Sequence, residues 1–213
     1  MLISVEGNIG AGKTTFCNLL AKRGYKICLE PIANWNVTDE VGEVHNVLHA
    51  FYQTPQKYAC MFQTLVLRSR VEQCRPIHHG FLERCVHSDK LFGSLQRRLG
   101  NMTAVEYATY LFQFRQAVRD TPTVQGHIYI KTSVETCLER ISKRAREGES
   151  GISKSYLQGL EEEHEQWFQG QENVLVIDGE VDFKANMDFL VLQVEAFRQS
   201  LAATPTFDVL YKE

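Results

Sequence analysis

The chain is 213 residues long, 44% hydrophobic and 23% charged, with a formal net charge of −3. That length suits one domain with a sizeable core, and the composition excludes a disordered chain. No apolar run reaches membrane-spanning length, and the mildly acidic balance argues against a surface that grips nucleic-acid backbone, so neither a membrane nor a nucleic acid is expected as a partner.

In chain order, residues 2–5 read as a short apolar strand, followed by a glycine-rich turn and a helix over 13–23. A second strand over 25–29 ends at Glu30-Pro31. Helices are predicted over 41–51 and 56–74, parted by Thr54-Pro55. A third strand over 79–82 ends at Glu83-Arg84. Helical sequence resumes over 87–98, and again after Asn101-Met102-Thr103 as far as 119. The fourth strand, 127–131, leads into a helix over 134–147. A glycine-containing break at 148–151 precedes a helix over 153–168. A fifth strand covers 173–177, and an amphipathic helix covers 184–201. Strands alternating with helices mean an α/β fold, here a three-layer arrangement with a five-stranded parallel sheet flanked by helices. Residues 1–203 read as a single domain and 204–213 as a C-terminal tail expected to be poorly ordered. The six cysteines show no C-x-x-C pair and fall mostly in apolar runs, as free thiols do in a reducing compartment. With a strand starting at residue 2, no signal peptide is expected, and the reading is cytoplasmic.

Ligands of such sheets bind beyond the carboxyl ends of the strands, which here carry Gly7, Glu30, Glu83-Arg84 and Asp178. The run Gly7-Asn8-Ile9-Gly10-Ala11-Gly12-Lys13-Thr14 fits G-x-x-x-x-G-K-[ST] between a strand and a helix, the context a phosphate loop requires. Its glycines let backbone N–H groups turn inward, and the helix N-terminus adds partial positive charge. Lys13 is placed to reach the β- and γ-phosphates, and the Thr14 hydroxyl to hold Mg²⁺. This indicates a P-loop NTPase-type fold that binds a nucleoside triphosphate. No guanine-reading N-K-x-D occurs, and the acidic residue ending the third strand is Glu83. Arg140, Lys143, Arg144 and Arg146 stand just ahead of Gly148 and Gly151, which reads as an arginine-rich lid; the alternative is a solvated basic helix face.

At this point the residues resemble a family. Val5-Glu6-Gly7-Asn8-Ile9-Gly10-Ala11-Gly12-Lys13-Thr14-Thr15 is similar to the phosphate loop of the deoxyribonucleoside kinases, a family that includes deoxycytidine, deoxyguanosine and mitochondrial thymidine kinases and the broad-specificity insect enzyme. Glu30-Pro31-Ile32-Ala33-Asn34-Trp35 resembles their E-P-x-x-x-W, and Phe62-Gln63-Thr64 their F-Q-[TS]. Glu83-Arg84 resembles their E-R-S, with Cys85 in place of serine. Residues 140–151 resemble the lid, and Tyr156-Leu157, His164-Glu165 and Trp167 the helix beyond it. The likeness runs from residue 2 to about residue 200. It implies transfer of the γ-phosphoryl of ATP, with Mg²⁺, to the 5′-hydroxyl of a deoxyribonucleoside in nucleotide salvage. It also implies a homodimer, for which the helices around 41–74 and 103–119 could serve.

A 5′-hydroxyl is a poor nucleophile until a carboxylate accepts its proton, and both strand-end position and resemblance nominate Glu30. Arg84 would orient that carboxylate and neutralise charge beside it. Glu83 could support Mg²⁺ through water, the preferred reading, or accept the proton itself; a structural ion pair with Arg84 is the plain alternative. The Gln63 amide suits one edge of a base, with Trp35 and Phe62 as walls or, equally, ordinary core aromatics. Tyr52 and Glu149 match the family's ligands for the 3′-hydroxyl. The adenine is expected to meet Arg144 and the loop Val181-Asp182-Phe183, which resembles the family's base-binding loop.

Arg70 lies two helical turns after Gln63, on the same face, and Asp89 lies just past Glu83-Arg84. The deoxycytidine and deoxyguanosine kinases carry Arg and Asp at these places. Such a pair can hydrogen-bond cytosine or a purine edge and would crowd the thymine methyl, so deoxycytidine or purine deoxynucleosides are expected above thymidine. A surface salt bridge is the alternative. Two departures stand out: Val66 is bulkier than the deoxycytidine kinases' residue, and Gly93 falls where the family presents a stacking Phe, a role Phe92 could take by a one-residue shift. The rival functions are a nucleoside monophosphate kinase, which needs arginines aimed at an acceptor phosphate, and a non-catalytic nucleotide-binding P-loop protein.

Overall fold

The computed structural model describes residues 1–203; the proposed tail, 204–213, lies outside the described residues. The central sheet is built from β1 (Leu2–Glu6), β2 (Ile27–Cys28), β5 (Gly80–Glu83), β6 (Gly126–Lys131) and β7 (Val174–Asp178). Their order is β2-β5-β1-β6-β7 and every pairing is parallel. β1 therefore has β5 on one side and β6 on the other, with Ile3 opposite both Phe81 and Gly126. All five β1 residues are buried, which is why the strand reads as a continuous apolar run rather than an alternating one.

Helices cover both faces: α1 (Lys13–Lys22), α4 (Val86–Arg98), α6 (Val134–Arg144), α7 (Lys154–Phe168) and α8 (Met187–Ala203). Phe16 and Leu20 of α1, Cys137 and Ile141 of α6, Leu157 and Leu160 of α7 and Leu190 and Val194 of α8 join Ile3, Val5, Ile128 and Ile130 in the main core. A second cluster lies outside the sheet, where α2 (Val47–Gln53), α3 (Pro55–Cys74) and α5 (Ala104–Asp120) gather around Trp35, Phe51, Phe62 and Met102. Among the described residues no helix is long and apolar enough to cross a membrane.

The expected five-stranded parallel sheet is present, while several boundaries shift: the last helix, expected over 184–201, spans Met187–Ala203, and three earlier elements change as well. The helix expected over 41–51 begins only at Val47. Before it, β3 (Asn36–Thr38) and β4 (Val44–Asn46) form an antiparallel hairpin, closed by the Asp39 carboxylate, which accepts the N–H groups of Val41 and Glu43. Asn46 then caps α2 by accepting the His49 N–H. The helix expected over 134–147 stops at Arg144, because Ala145 turns left-handed at φ 47°. The second strand, expected over 25–29, pairs only through Ile27 and Cys28.

Candidate active site

The Gly7–Thr14 loop crosses the carboxyl end of β1, at the point where the sheet order reverses direction. Gly10 has φ 82° and a Cβ there would sit 2.5 Å from the Cys137 carbonyl oxygen, so neither conformation nor space admits a side chain. Gly12 precedes α1 without capping it by a side chain, which leaves the first N–H groups of the helix directed at the loop. The Lys13 ammonium donates to the carbonyls of Gly7 (3.1 Å) and Asn8 (2.7 Å). Burial, and next the neighbouring Arg84 guanidinium, lower its pKa to about 8. Asn8 holds the loop to α7 through its amide, which donates to the Leu157 carbonyl at 2.8 Å.

From this loop a cavity of about 540 Å³ opens toward α2 and α3. Its floor is an ion-pair chain. Arg70, buried at the side chain, donates from Nε to both oxygens of Asp89 (2.9 and 2.7 Å) and from Nη2 to Glu30 Oε1 (2.8 Å). Arg84 Nε stands 3.5 Å from the same Glu30 oxygen, and its guanidinium lies over the Phe92 ring at 4.7 Å. Arg70 thus bridges the two carboxylates, a contact to Glu30 that the sequence reading did not foresee. The Arg70–Asp89 pair is buried, not a surface salt bridge. Burial opposes the charge on Arg70, but Asp89 and Glu30 hold it firmly protonated. Burial pushes Glu30 up, while Arg84, Arg70 and Lys13 outweigh it and keep that carboxyl below its ordinary range. Arg84 itself sits at φ 66°, in the left-handed region, and its Nη1 is buried without a hydrogen-bond partner among the described residues.

Glu83 accepts the Thr14 hydroxyl at 2.5 Å, and its other oxygen lies 3.4 Å from the Glu30 N–H. Two oxygen donors at the mouth of a phosphate loop are the ligand type a hard divalent cation takes, so the residues fit Mg²⁺. On the far wall Phe62, Gln63 and Val66 of α3 face Trp35, whose indole donates to Ser69 Oγ at 3.2 Å. Trp35 meets Phe62 edge-on at 5.4 Å, and Phe51 stacks on Phe62 at 5.0 Å. Phe92 lines the cavity while Gly93 packs against the Tyr110 ring.

The lid closes the cavity from above. Arg144 (3.1 and 2.5 Å) and Arg146 (2.8 Å) both grip the Glu149 carboxylate, and Tyr52 stands across from it, edge-on to Tyr156. Burial pushes the Tyr52 phenol well up, so it remains a donor. Arg140 donates to the carbonyls of Ala11 (3.2 Å) and Gly179 (2.8 Å), tying α6 to the phosphate loop.

Of the expected residues, Ile9, Gly10, Gly12, Lys13, Thr14, Thr15, Glu30, Trp35, Tyr52, Phe62, Gln63, Arg70, Glu83, Arg84, Asp89, Arg140, Arg144, Arg146 and Glu149 line this one cavity. Gly7, Asn8 and Ala11 do not line it; they shape the loop behind it. Val181, Asp182 and Phe183 stand outside the lining: Phe183 is buried against Phe16, and Asp182 accepts the N–H groups of Lys184 and Ala185. The sequence reading missed Ile32, Leu48, Phe51 and Tyr156 as lining residues. Leu48, Phe51 and Tyr52 follow the i, i+3, i+4 spacing of one helical face, a signal blurred by starting that helix six residues early.

A family model described as deoxynucleoside kinase matches residues 3–197. The chain is 34% identical to deoxycytidine kinase 2 of Gallus gallus, over 93% of this chain and 90% of that protein. It is 31% identical to deoxycytidine kinase of Homo sapiens, with 93% and 91% covered. Against the mitochondrial deoxyguanosine kinase of Xenopus laevis the identity is 29%, with 92% and 88% covered. Among solved structures, a deoxyadenosine kinase from M. mycoides with bound dCTP shares the fold at TM-score 0.78 and 24% identity, covering 92% of this chain and all of that one.

Proposed function

Because the chain belongs to the deoxynucleoside kinase family, an ATP-dependent phosphotransferase family, we propose that it phosphorylates the 5′-hydroxyl of deoxycytidine and purine deoxynucleosides in preference to thymidine. The observation that carries this reading is the buried Arg70, fixed between Asp89 and Glu30 at the α3 end of the cavity. A base entering that end meets a guanidinium and a carboxylate held in register, able to donate and accept together along one edge. The same pair leaves little apolar room for a methyl group, and Val66 narrows it further.

The remaining roles belong to the same proposal. Glu30 accepts the 5′-hydroxyl proton; its ionised state is secured by the surrounding cations, at some loss of basicity. Arg84 and the lid residues Arg140, Arg144 and Arg146 balance charge on the transferring phosphoryl oxygens. Lys13 lies against the phosphate loop, ready to exchange its carbonyl contacts for phosphate oxygens. Tyr52 and Glu149 receive the 3′-hydroxyl, the phenol donating and the carboxylate accepting; the closeness of Tyr52 disfavours a 2′-hydroxyl. Thr14 and Glu83 would hold Mg²⁺, which when bound offsets the negative charge of the triphosphate. The exposed apolar residues Met61 of α3 and Val105 and Phe112 of α5 support association of two copies through these helices.

The test is a phosphoryl-transfer assay with Mg·ATP against deoxycytidine, deoxyadenosine, deoxyguanosine, thymidine and their 5′-monophosphates. Turnover of the first three above thymidine is expected. Turnover of monophosphates alone would sink the reading, and thymidine as the preferred acceptor would sink its base-reading part.

A further inference from the structure

All six cysteines are free thiols. Three of them, Cys28, Cys74 and Cys85, share one small buried cluster with Leu2 and Leu82, away from the main core, and within it the Cys28 and Cys74 thiols interact directly. Cys28 is the last residue of β2, the edge strand of the sheet, and Cys74 is the last residue of α3. Both therefore sit where an element ends and the backbone can adjust. Cys28 is two residues before Glu30, and Cys74 is one helical turn beyond Arg70, so the two thiols join the same two segments that the Glu30–Arg70 ion pair joins.

The chemistry of the pair is asymmetric. Contact with the Cys74 thiol, with the positive charge of Arg70, holds Cys28 below the ordinary thiol range against burial. The same contact, reinforced by burial, pushes Cys74 up. Burial pushes Cys17, Cys85 and Cys137 up as well. A low-pKa cysteine beside a second thiol has the features of an attacking and a resolving sulfur.

We propose that Cys28 and Cys74 are a peroxide-sensitive pair whose disulfide pins the strand end carrying Glu30 to the last turn of α3 and slows turnover. The Cys28 thiolate attacks one oxygen of hydrogen peroxide, the O–O bond breaks, and hydroxide leaves a sulfenic acid on Cys28. The Cys74 sulfur attacks that sulfenic sulfur, and its proton departs with the sulfenic hydroxyl as water. Two thiols thus lose two electrons and two protons, and one peroxide becomes two waters. The effect on turnover rests on the proposed roles of Glu30 and Arg70; formation of the bridge does not.

The experiment treats the full chain with hydrogen peroxide, maps disulfides by non-reducing peptide mass spectrometry, and follows deoxynucleoside phosphorylation in parallel. The expected result is a Cys28–Cys74 peptide two hydrogens lighter than its parts, with turnover lowered about tenfold, as sub-ångström misplacement of a reacting group allows. Dithiothreitol restores it, while Cys28→Ala and Cys74→Ala keep the untreated rate and do not respond to peroxide. Absence of that peptide, or oxidation confined to the more exposed Cys60, overturns the pair whatever the activity. A bridge that forms with turnover unchanged overturns the coupling to Glu30. A chain that forms the bridge but phosphorylates no nucleoside, oxidised or reduced, overturns that coupling and the kinase reading together and leaves the pair standing.

Discussion

Arg70 holds two carboxylates at once, and each depends on it differently. Asp89 receives both its hydrogen bonds from the guanidinium, while Glu30 shares Arg70 with Arg84. Glu30→Gln keeps the size and most of the contacts but removes the proton acceptor. It is expected to lower kcat by roughly 10²–10⁴-fold and to lower the melting temperature, because the buried Arg70 and Arg84 lose a charged partner; near-normal turnover would pass the role to Glu83. For base reading, both partners must go together, since removing one leaves a buried charge unpaired at a cost of about 3–5 kcal/mol. In Arg70→Met with Asp89→Ala, overall turnover falls because Glu30 loses a partner. The ratio of thymidine to deoxycytidine kcat/KM is expected to rise about tenfold or more, the size of one well-placed charged hydrogen bond. A ratio that stays put would mean the pair does not read the base.

At the level of elements, the lid is seated by a backbone contact as well as by its arginines. Gly148 has φ 89°, and a Cβ there would lie 2.9 Å from the Cα of His49 in α2. Gly148→Ala therefore lifts the turn carrying Glu149 away from the helix carrying Tyr52. The expected outcome is a deoxynucleoside KM raised about tenfold with nucleotide affinity nearly kept, read from steady-state kinetics and nucleotide titration. The sequence exposed the phosphate loop and the strand ends because each joins a local pattern to a fixed chemical need. It hid the β3–β4 hairpin, whose Val41 and Val44 mimic a helical phase continuous with Val47 of α2 while the turn-forming Asp39 lies ahead of them. It also hid the Arg70–Glu30 contact, forty residues apart, because only the packing of α3 against the sheet edge brings them together.

For the molecule as a whole, residues from α2, α3, α4, α6 and three strand ends converge on one cavity, so no smaller piece contains the site. The last helix closes the described domain: Phe197 and Leu201 pack over Gly126 at the start of β6. A chain ending at Ala203 is accordingly expected to keep its kinetics and to melt within a few degrees of the full chain, as a change of about 1 kcal/mol produces at this size. Loss of the cooperative transition would show that 204–213 belongs to the domain.

The left-handed backbone of Arg84 sets two demands against each other. Glycine adopts φ 66° freely and arginine does not, yet only arginine reaches Glu30 and covers Phe92. Arg84→Gly and Arg84→Ala both remove the guanidinium and are expected to abolish phosphoryl transfer alike. The glycine variant should be the more stable of the two by about 1 kcal/mol, measured by denaturant titration, and equal stability would show that the backbone carries no strain. Without selection for activity, position 84 would be free to drift toward glycine, so the cost of this backbone stands or falls with the role proposed for the arginine.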